Sequence, residues 1–149
     1  MVAVHTLEVY PTVEELNEAV GRAFLARLST LINEAEADSR VNLAISGGAI
    51  TTSLLPSLLP FVGDVDWSRV RVWLVDERYV PAGNEDRNDD QAWEGFLHAA
   101  SGVEFVRMPT SDASAPGAGS LDEATVAFAD TWREIMGEGS FDIALIGMG

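Results

Sequence analysis

Three turns of this sequence place glycine or charged residues directly after an apolar run. Residues 46–48 read Ser-Gly-Gly, residues 76–78 read Asp-Glu-Arg and residues 147–149 read Gly-Met-Gly. Arginine side chains and backbone N–H groups that glycine leaves open are groups that bind anions and polarise carbonyl oxygens. If the apolar runs are parallel strands, their carboxyl ends lie at one edge of a sheet, where ligands bind. The three turns therefore predict one binding site.

The first turn, Ser46-Gly47-Gly48, suits a phosphate or a carboxylate. Successive N–H groups that lead into a helix form a concave cluster of partial positive charge, and glycine lets an anion touch the backbone. A tight strand-to-helix turn capped by Ser46 explains the same residues without a ligand, so both interpretations stay open on this motif alone. The pattern is not Gly-x-Gly-x-x-Gly, which argues against a dinucleotide site.

The second turn places charges at the abrupt end of a buried run. Arg78 offers a planar fork to a phosphate or to a polarised carbonyl. A solvated loop that contains an ion pair is the alternative, and it is the usual fate of a charge run. At the far end of this polar loop, Asn88 is predicted to cap the helix that follows.

Composition excludes several chemistries. The chain has 149 residues, and all nine of its basic residues are arginine. Without lysine it can form no Schiff base and no Walker A phosphate loop. Without cysteine it has no disulfide, no thiolate nucleophile and no Cys-ligated metal. A formal net charge of −15 makes nucleic acid an unsuitable partner, because phosphate backbones are repelled.

The location of the protein is predicted from similar exclusions. No run of apolar residues is long enough to cross a membrane, so we expect no membrane partner. The first residues lack the basic and apolar regions of a signal peptide. Together with the absence of cysteine, these features predict a cytoplasmic protein. The oligomeric state is left open.

The turns require a scaffold of short strands that alternate with helices. Apolar positions from Val13 onward follow one face of a long helix, with Thr12 and Glu15 as a capping pair. A second capping pair, Ser120 and Glu123, begins the last helix. The predicted strands span 4–10, 41–46, 69–75, 103–108 and 141–149, and the predicted helices span 13–32, 51–59, 89–100 and 121–136.

This alternation predicts an α/β fold. Apolar strands joined by amphipathic crossovers form an open, mostly parallel, doubly wound sheet with helices on both faces, which is a Rossmann-like arrangement. His5 stands near the start of the first predicted strand and His98 near the end of a helix. Both are therefore expected at the amino edge of the sheet. The predicted site thus contains an anion cradle and an arginine, but no histidine base.

Three segments of the chain, "ISGGAITTSLL", "VWLVDERYVPAGNEDRND" and "FDIALIGMG", together resemble the glucosamine-6-phosphate isomerase/6-phosphogluconolactonase family. The resemblance implies hydrolysis of 6-phosphoglucono-δ-lactone to 6-phosphogluconate in the oxidative pentose phosphate pathway, without metal or cofactor. The sibling deaminase tends to carry tyrosine where Arg78 stands, which favours the lactonase. A sugar-phosphate isomerase or deaminase of the same fold and a non-catalytic sugar-phosphate sensor are the alternatives.

The resemblance also implies roles for individual residues. Residues 46–48 would bind the substrate through backbone donors, Thr51 would bind it through its hydroxyl, and Asn88 would complete this set. Arg78 would hold the phosphate or the developing oxyanion, and Asp76 would contact sugar hydroxyls or orient Arg78.

Two departures from the family pattern qualify these roles. The family's glycine pair is commonly followed by a polar residue, threonine and proline, whereas Ala49 and Ile50 follow here, before Thr51. The family's Gly-Met-Gly leads into an Asp-Gly-His segment with the catalytic histidine, whereas this sequence ends at Gly149. We therefore expect residues 1–149 to be one sugar-phosphate-binding α/β domain, truncated before that segment, with the general base downstream of Gly149. On this interpretation we expect weak or no lactonase activity from residues 1–149 alone.

Overall fold

The structure, a computed structural model, describes residues 4–112 and 119–148. In this part of the chain four parallel strands form a single sheet in the order β3-β2-β1-β4. The open parallel sheet predicted from the sequence is thereby confirmed. The strands are β1 (Val41–Ile45), β2 (Val70–Leu74), β3 (Glu104–Val106) and β4 (Ile143–Leu145).

Helices connect the strands and cover the sheet. None of the helices in the described ranges is both long and apolar enough to cross a membrane. The α-helices are α1 (Val13–Glu34), α2 (Leu55–Ser57), α3 (Asn88–Gly95) and α4 (Leu121–Met136). A π-helical turn (Ile50–Leu54) precedes α2, and 3₁₀ turns span Leu59–Asp64, Trp67–Arg69 and Leu97–Ala99.

The two long helices begin where their capping residues predict. The Thr12 hydroxyl accepts a hydrogen bond from the N–H of Glu15 at 3.1 Å. The Ser120 hydroxyl accepts one from the N–H of Glu123 at 3.2 Å. Each side chain satisfies a donor that has no partner within its helix, so the capping pairs fix the first turns of α1 and α4.

The core lies around the two central strands. Val41 pairs with Val70 and Ile45 with Leu74, and all four side chains are buried. Phe24 and Leu28 of α1 pack into the same hydrophobic cluster. Central parallel strands that are buried on both faces explain why these runs are almost continuously apolar.

The predicted strand at residues 4–10 is wrong. The structure gives this segment no strand assignment, and Val4, Leu7 and Val9 are 90%, 87% and 84% exposed. The alternating pattern describes an extended backbone, but a strand also needs a neighbour to complete its hydrogen bonds. In the described ranges no strand pairs with this segment, so the sheet has four strands where five were predicted.

The predicted helix at 51–59 is broken into three pieces, and Pro56 lies inside the short α2 rather than ending a longer helix. Proline has no N–H to donate to the preceding turn. The turn widens here, and the N–H of Leu55 donates to the carbonyl of Ile50, five residues earlier. Local proline geometry thus replaces the regular α-helix with a π-helical turn.

Helix α4 rests on the sheet through an aromatic cluster. The indole of Trp73 in β2 lies 5.0 Å from that of Trp132 and 6.2 Å from the ring of Phe128, measured between ring centroids. Phe141, just before β4, packs edge-on against Trp132 at 5.2 Å. Ala124 is the buried residue of α4, and the rings of Phe128 and Trp132 join the helix to Trp73 of the sheet.

Candidate functional site

The exit turns of β1 and β4 are hydrogen-bonded to each other. The N–H of Ser46 donates to the carbonyl of Leu145 at 3.0 Å, which continues the sheet ladder by one residue. The Ser46 hydroxyl accepts the N–H of Gly147 at 2.9 Å. Two of the three turns singled out in the sequence therefore meet at one edge, with Ser46 between them.

The exit turn of β1 also contacts the loop that follows β2. A Cβ at Gly47 would lie 2.0 Å from Oδ1 of Asn88, so only glycine leaves room for that side chain. Asn88 in turn donates from Nδ2 to the carbonyl of Asp76 at 3.1 Å. Gly47 is thus required by close packing against Asn88, which joins the first turn to the second.

Gly48 has a different reason to be glycine. Its φ is +63°, a left-handed conformation that other residues adopt only with strain, and no atom lies within 4 Å of the position of a Cβ. Its carbonyl accepts the N–H groups of Thr51 and Thr52 at 3.1 and 3.0 Å. The helical turn itself starts at Ile50, after Ala49. The N–H of Ser46 is already bonded to the carbonyl of Leu145, so the backbone donor role predicted for Ser46 is wrong, and that role stays a prediction for Gly47 and Gly48.

Thr51 is turned inward. It is 1% exposed, and its hydroxyl lies 3.1 Å from the carbonyl of Gly48 and 3.2 Å from Oε1 of Gln91. Thr52 is exposed, with its hydroxyl on the same Gly48 carbonyl at 2.9 Å. The structure therefore places the Thr51 hydroxyl within the turn rather than at its surface.

The Asp76-Glu77-Arg78 turn alternates exposed and buried side chains. Asp76 and Arg78 are exposed, whereas the side chain of Glu77 is 2% exposed. Both oxygens of Glu77 accept backbone N–H groups: Oε1 accepts those of Arg78 and Asn88, each at 2.8 Å, and Oε2 accepts that of Asp89 at 2.9 Å. The turn therefore presents a carboxylate and a guanidinium to solvent around one buried acid.

Glu77 performs the capping role that the sequence assigns to Asn88. Asn88 is the first residue of α3 rather than its cap, and the preceding residue, Arg87, makes no side-chain capping bond. A carboxylate at a helix N-terminus satisfies orphan N–H groups and complements the helix dipole. Asn88 is 7% exposed, so it supports the site from beneath.

Arg87 is the residue that sequence reasoning missed. It is 0% exposed and forms a two-bond pair with Asp89, Nε to Oδ1 at 3.1 Å and Nη2 to Oδ2 at 2.8 Å. Burial alone would raise the pKa of Asp89, but the hydrogen bonds and charge of Arg87 lower that pKa below its usual value. Burial likewise opposes the charge on Arg87, yet Asp89 and Glu77 raise its pKa. Both members of this buried pair are therefore ionised.

His98 lies beyond the end of α3, away from these turns, whereas the placement of His5 at the amino edge rested on a first strand that the structure does not contain. His98 is exposed in the 3₁₀ turn after α3, with Nδ1 at 2.9 Å from the carbonyl of Trp93. His5 is exposed in the segment before α1. Across residues 4–112 and 119–148 no cluster of three or more His, Cys, Asp or Glu side chains is arranged to hold a metal ion.

The sequence of this chain is similar to those of known proteins. A profile of the family described as glucosamine-6-phosphate isomerases/6-phosphogluconolactonase matches residues 11–149. The chain belongs to this family. The 6-phosphogluconolactonase of Streptomyces coelicolor is 30% identical over 142 residues, which cover 89% of this chain and 54% of that protein. The 6-phosphogluconolactonase of Mycobacterium tuberculosis is 26% identical over 148 residues, covering 97% of this chain and 59% of that one.

Solved structures agree on the fold. A crystal structure of a 6-phosphogluconolactonase from Shewanella baltica superposes with a TM-score of 0.69 at 26% identity, covering 94% of this chain and 55% of that one. The 6-phosphogluconolactonase of Trypanosoma brucei gives a TM-score of 0.75 at 23% identity, covering 95% and 59%. The chain thus spans a little over half the length of the family members it matches.

Proposed function

We propose that this chain forms the sugar-phosphate-binding part of a 6-phosphogluconolactonase, as a single α/β domain. The observation that carries the proposal is the placement of Arg78: an exposed guanidinium on a backbone held by buried groups, at the sheet edge where the Ser46 and Gly48 turn lies. Family membership and the names of the relatives support the lactone as substrate.

The proposed chemistry is the attack of water on the carbonyl carbon of 6-phosphoglucono-δ-lactone. The carbonyl oxygen gains negative charge, the ring C–O bond breaks, and the ring oxygen takes up a proton to give 6-phosphogluconate. Arg78 holds either the developing oxyanion or the phosphate, and the N–H groups of Gly47 and Gly48 bind the other anion. Asp76 contacts sugar hydroxyls or orients Arg78. Thr51 and Asn88 shape the cradle from inside.

A general base with a pKa near neutrality serves water attack best. His98 follows the end of α3, away from the three turns, and His5 is exposed in the segment before α1, so we assign the role to neither. We therefore propose that the base comes from the portion of the relatives that this chain does not cover, downstream of Gly149. On this proposal the chain binds the sugar phosphate by itself but needs that portion for full turnover.

An isomerase or deaminase acting on an amino-sugar phosphate is the second candidate, because the family profile covers both activities. The lactonase names of the relatives and the arginine at position 78 favour the first candidate. A sensor that binds sugar phosphate without turning it over is the third.

The absence of cysteine supports a cytoplasmic location as part of the same proposal.

Calorimetric titration with 6-phosphogluconate tests the proposal. The wild-type chain should bind this product but not gluconate, which lacks the phosphate. Arg78→Ala should weaken binding by about ten- to hundredfold, the worth of a charge-assisted hydrogen bond. Arg22→Ala is the matched control, because Arg22 is exposed on α1 and pairs with Glu18 of the same helix. Binding that is absent in the wild type, or unchanged in Arg78→Ala, would contradict the assignment.

Turnover separates the candidate functions. The chain should be assayed alone and joined to the carboxyl-terminal portion of a relative, with correction for spontaneous lactone hydrolysis. We expect lactone hydrolysis to rise strongly in the joined protein and glucosamine 6-phosphate to be left intact. Full lactonase activity of the chain alone would show that a residue described here acts as the base, and joined protein that binds but never hydrolyses would favour the sensor.

A further inference from the structure

We infer that Arg87 is a positioning residue for the site: it holds the backbone of Arg78 so that the exposed guanidinium meets the ligand in one geometry. The inference rests on the proposed function, since the ligand is the one proposed above. Its first support is a direct contact, because Nη1 of Arg87 donates to the carbonyl of Arg78 at 2.9 Å.

Every N–H of the Arg87 guanidinium has an acceptor. Nη1 also lies 3.3 Å from the carbonyl of Pro109, and Nη2 donates to the carbonyl of Met108 at 2.9 Å. The two bonds to Asp89 complete the set of five donors that a guanidinium has. One side chain thus joins the loop after β2, the loop after β3 and the first turn of α3. Lysine, with three donors on one nitrogen, cannot reproduce this arrangement.

Both backbone polar atoms of Arg78 are held by buried charges. Its N–H donates to the Glu77 carboxylate at 2.8 Å, and its carbonyl accepts from Arg87 at 2.9 Å. The Arg78 side chain remains exposed. A backbone fixed on both sides reduces the ordering that ligand binding would otherwise require, so the guanidinium of Arg78 is preorganised.

A second set of bonds braces the same loop against the β3 exit. The N–H of Ser111 donates to the carbonyl of Val80 at 3.1 Å, and the N–H of Ala82 donates to Oδ1 of Asp112 at 2.9 Å. These contacts lie on the exposed side of the loop, whereas Arg87 is buried beneath it. The loop therefore has a surface brace and a buried one, and only the buried one touches Arg78.

Amide hydrogen exchange of the wild-type chain, Arg87→Lys and Arg107→Lys tests the contact itself. Arg107 is the matched control because it also lies near Asp89, at 3.3 Å, but is 40% exposed. In Arg87→Lys the N–H groups of Arg78 and Asn88 should exchange about tenfold faster, while that of Val75 in the sheet keeps its rate. Arg107→Lys should leave all three rates unchanged.

A double-mutant cycle tests whether Arg87 acts through Arg78. Affinity for 6-phosphogluconate is measured for the wild type, Arg87→Lys, Arg78→Ala and the double variant. Arg87→Lys should lower affinity about tenfold in the wild-type background and have almost no effect once Arg78 is alanine. A residue that only stabilises the fold would lower affinity by the same factor in both backgrounds.

The outcomes separate this inference from the proposed function. A wild-type chain that binds no 6-phosphogluconate would contradict the proposed function, and the exchange rates would still decide whether Arg87 holds the loop. Normal exchange in Arg87→Lys, or equal losses of affinity in the two backgrounds, would overturn the positioning role. If Arg87→Lys does not fold, the double variant Arg87→Gln/Asp89→Asn replaces it, because it removes the Arg87 contacts without leaving Asp89 as an unpaired buried charge. The same exchange rates and affinities then decide the positioning role.

Discussion

The exit turns after β1 and β2 are stabilised by different groups. The turn after β1 is a backbone structure, in which the Gly48 carbonyl collects the N–H groups of two threonines and Gly47 leaves space for a neighbour. The turn after β2 is built on buried charges, with Glu77 and Arg87 bonded to the backbone. The first turn therefore depends on the absence of side chains, and the second depends on the presence of two.

If the proposed function holds, this edge of the sheet combines two forms of anion recognition. A backbone cradle offers partial charges whose direction is fixed by the fold. A guanidinium such as that of Arg78 offers a full charge, but its backbone must be held for the geometry to be reproducible. Asn88 joins the two turns, since it packs on Gly47 and donates to the carbonyl of Asp76.

The largest effect is expected from removing the buried cation. Arg87→Met leaves the buried Asp89 without its two-bond partner and with only the partly exposed Arg107 as a cation beside it among the described residues, and such a loss costs about 3–5 kcal/mol in the free energy of unfolding. Urea unfolding followed by far-UV circular dichroism measures this loss. Arg107→Met is the control, because Arg107 is partly exposed and should change stability by less than about 1 kcal/mol. Equal losses in the two variants would contradict a buried-charge role for Arg87.

A smaller effect should follow from adding one methyl group to the first turn. Gly47→Ala forces a Cβ toward Oδ1 of Asn88 and should destabilise the protein by about 1–3 kcal/mol through overpacking. Gly63→Ala, where a Cβ meets no atom within 4 Å, is the control for a glycine substitution. The double variant Gly47→Ala/Asn88→Ala should lose less than the two single losses added together. A strictly additive result would mean that the two residues do not press on each other.

The neighbouring glycine should respond to conformation rather than to crowding. Gly48→Ala places a Cβ in open space but at φ +63°, which costs about 1–2 kcal/mol. Gly48→Asn should lose less, because asparagine tolerates the left-handed region. Thermal unfolding of the three proteins checks this order. If Gly48→Ala and Gly48→Asn lower the unfolding temperature equally, backbone strain does not determine the effect at this position.

The smallest expected effect concerns acid stability. The pKa of Asp89 is lowered in the folded protein, so its contribution is present above its unfolded pKa and is lost as pH falls through the folded value. The stability difference between the wild type and Asp89→Asn should therefore narrow below about pH 4. Urea titrations from pH 7 to pH 2.5 measure this difference, with the exposed Asp130→Asn as control. A constant difference across this range would contradict an ionised, buried Asp89.

Local patterns predicted much of the scaffold. Apolar runs identified the four observed strands to within a few residues, and capping pairs gave the starts of α1 and α4. The segment 4–10 failed because its alternation carries no information about whether a pairing strand is present. The helix predicted at 51–59 failed as one regular helix because the apolar spacing does not show where a proline interrupts the hydrogen bonds of the turn before it.

The sequence singled out exposed residues of the candidate site but not the buried Arg87. Ser46, Gly47 and Gly48 stood out because glycine after an apolar run is a local signal, and their binding role stays a prediction. Arg87 was missed because its burial depends on the carbonyls of Met108 and Pro109, more than twenty residues later. In a polar loop a charged residue is by default expected in solvent, and only the fold shows otherwise. The inward direction of Thr51 likewise follows from Gln91, on another helix.

The indole pair of Trp73 and Trp132 gives the molecule an optical signature. The two ring centroids lie 5.0 Å apart and the ring planes are inclined at 60°. At this distance the electronic transitions of the two indoles couple, and we expect a paired band in the circular dichroism spectrum. Because one indole belongs to the sheet and the other to α4, this coupled signal exists only while the helix is docked. Trp67, in contact with Phe96 at 5.2 Å, reports on the core separately. An ultraviolet circular dichroism spectrum should therefore distinguish detachment of α4, which removes the coupled signal of Trp73 and Trp132, from unfolding of the core, which also changes the signal of Trp67.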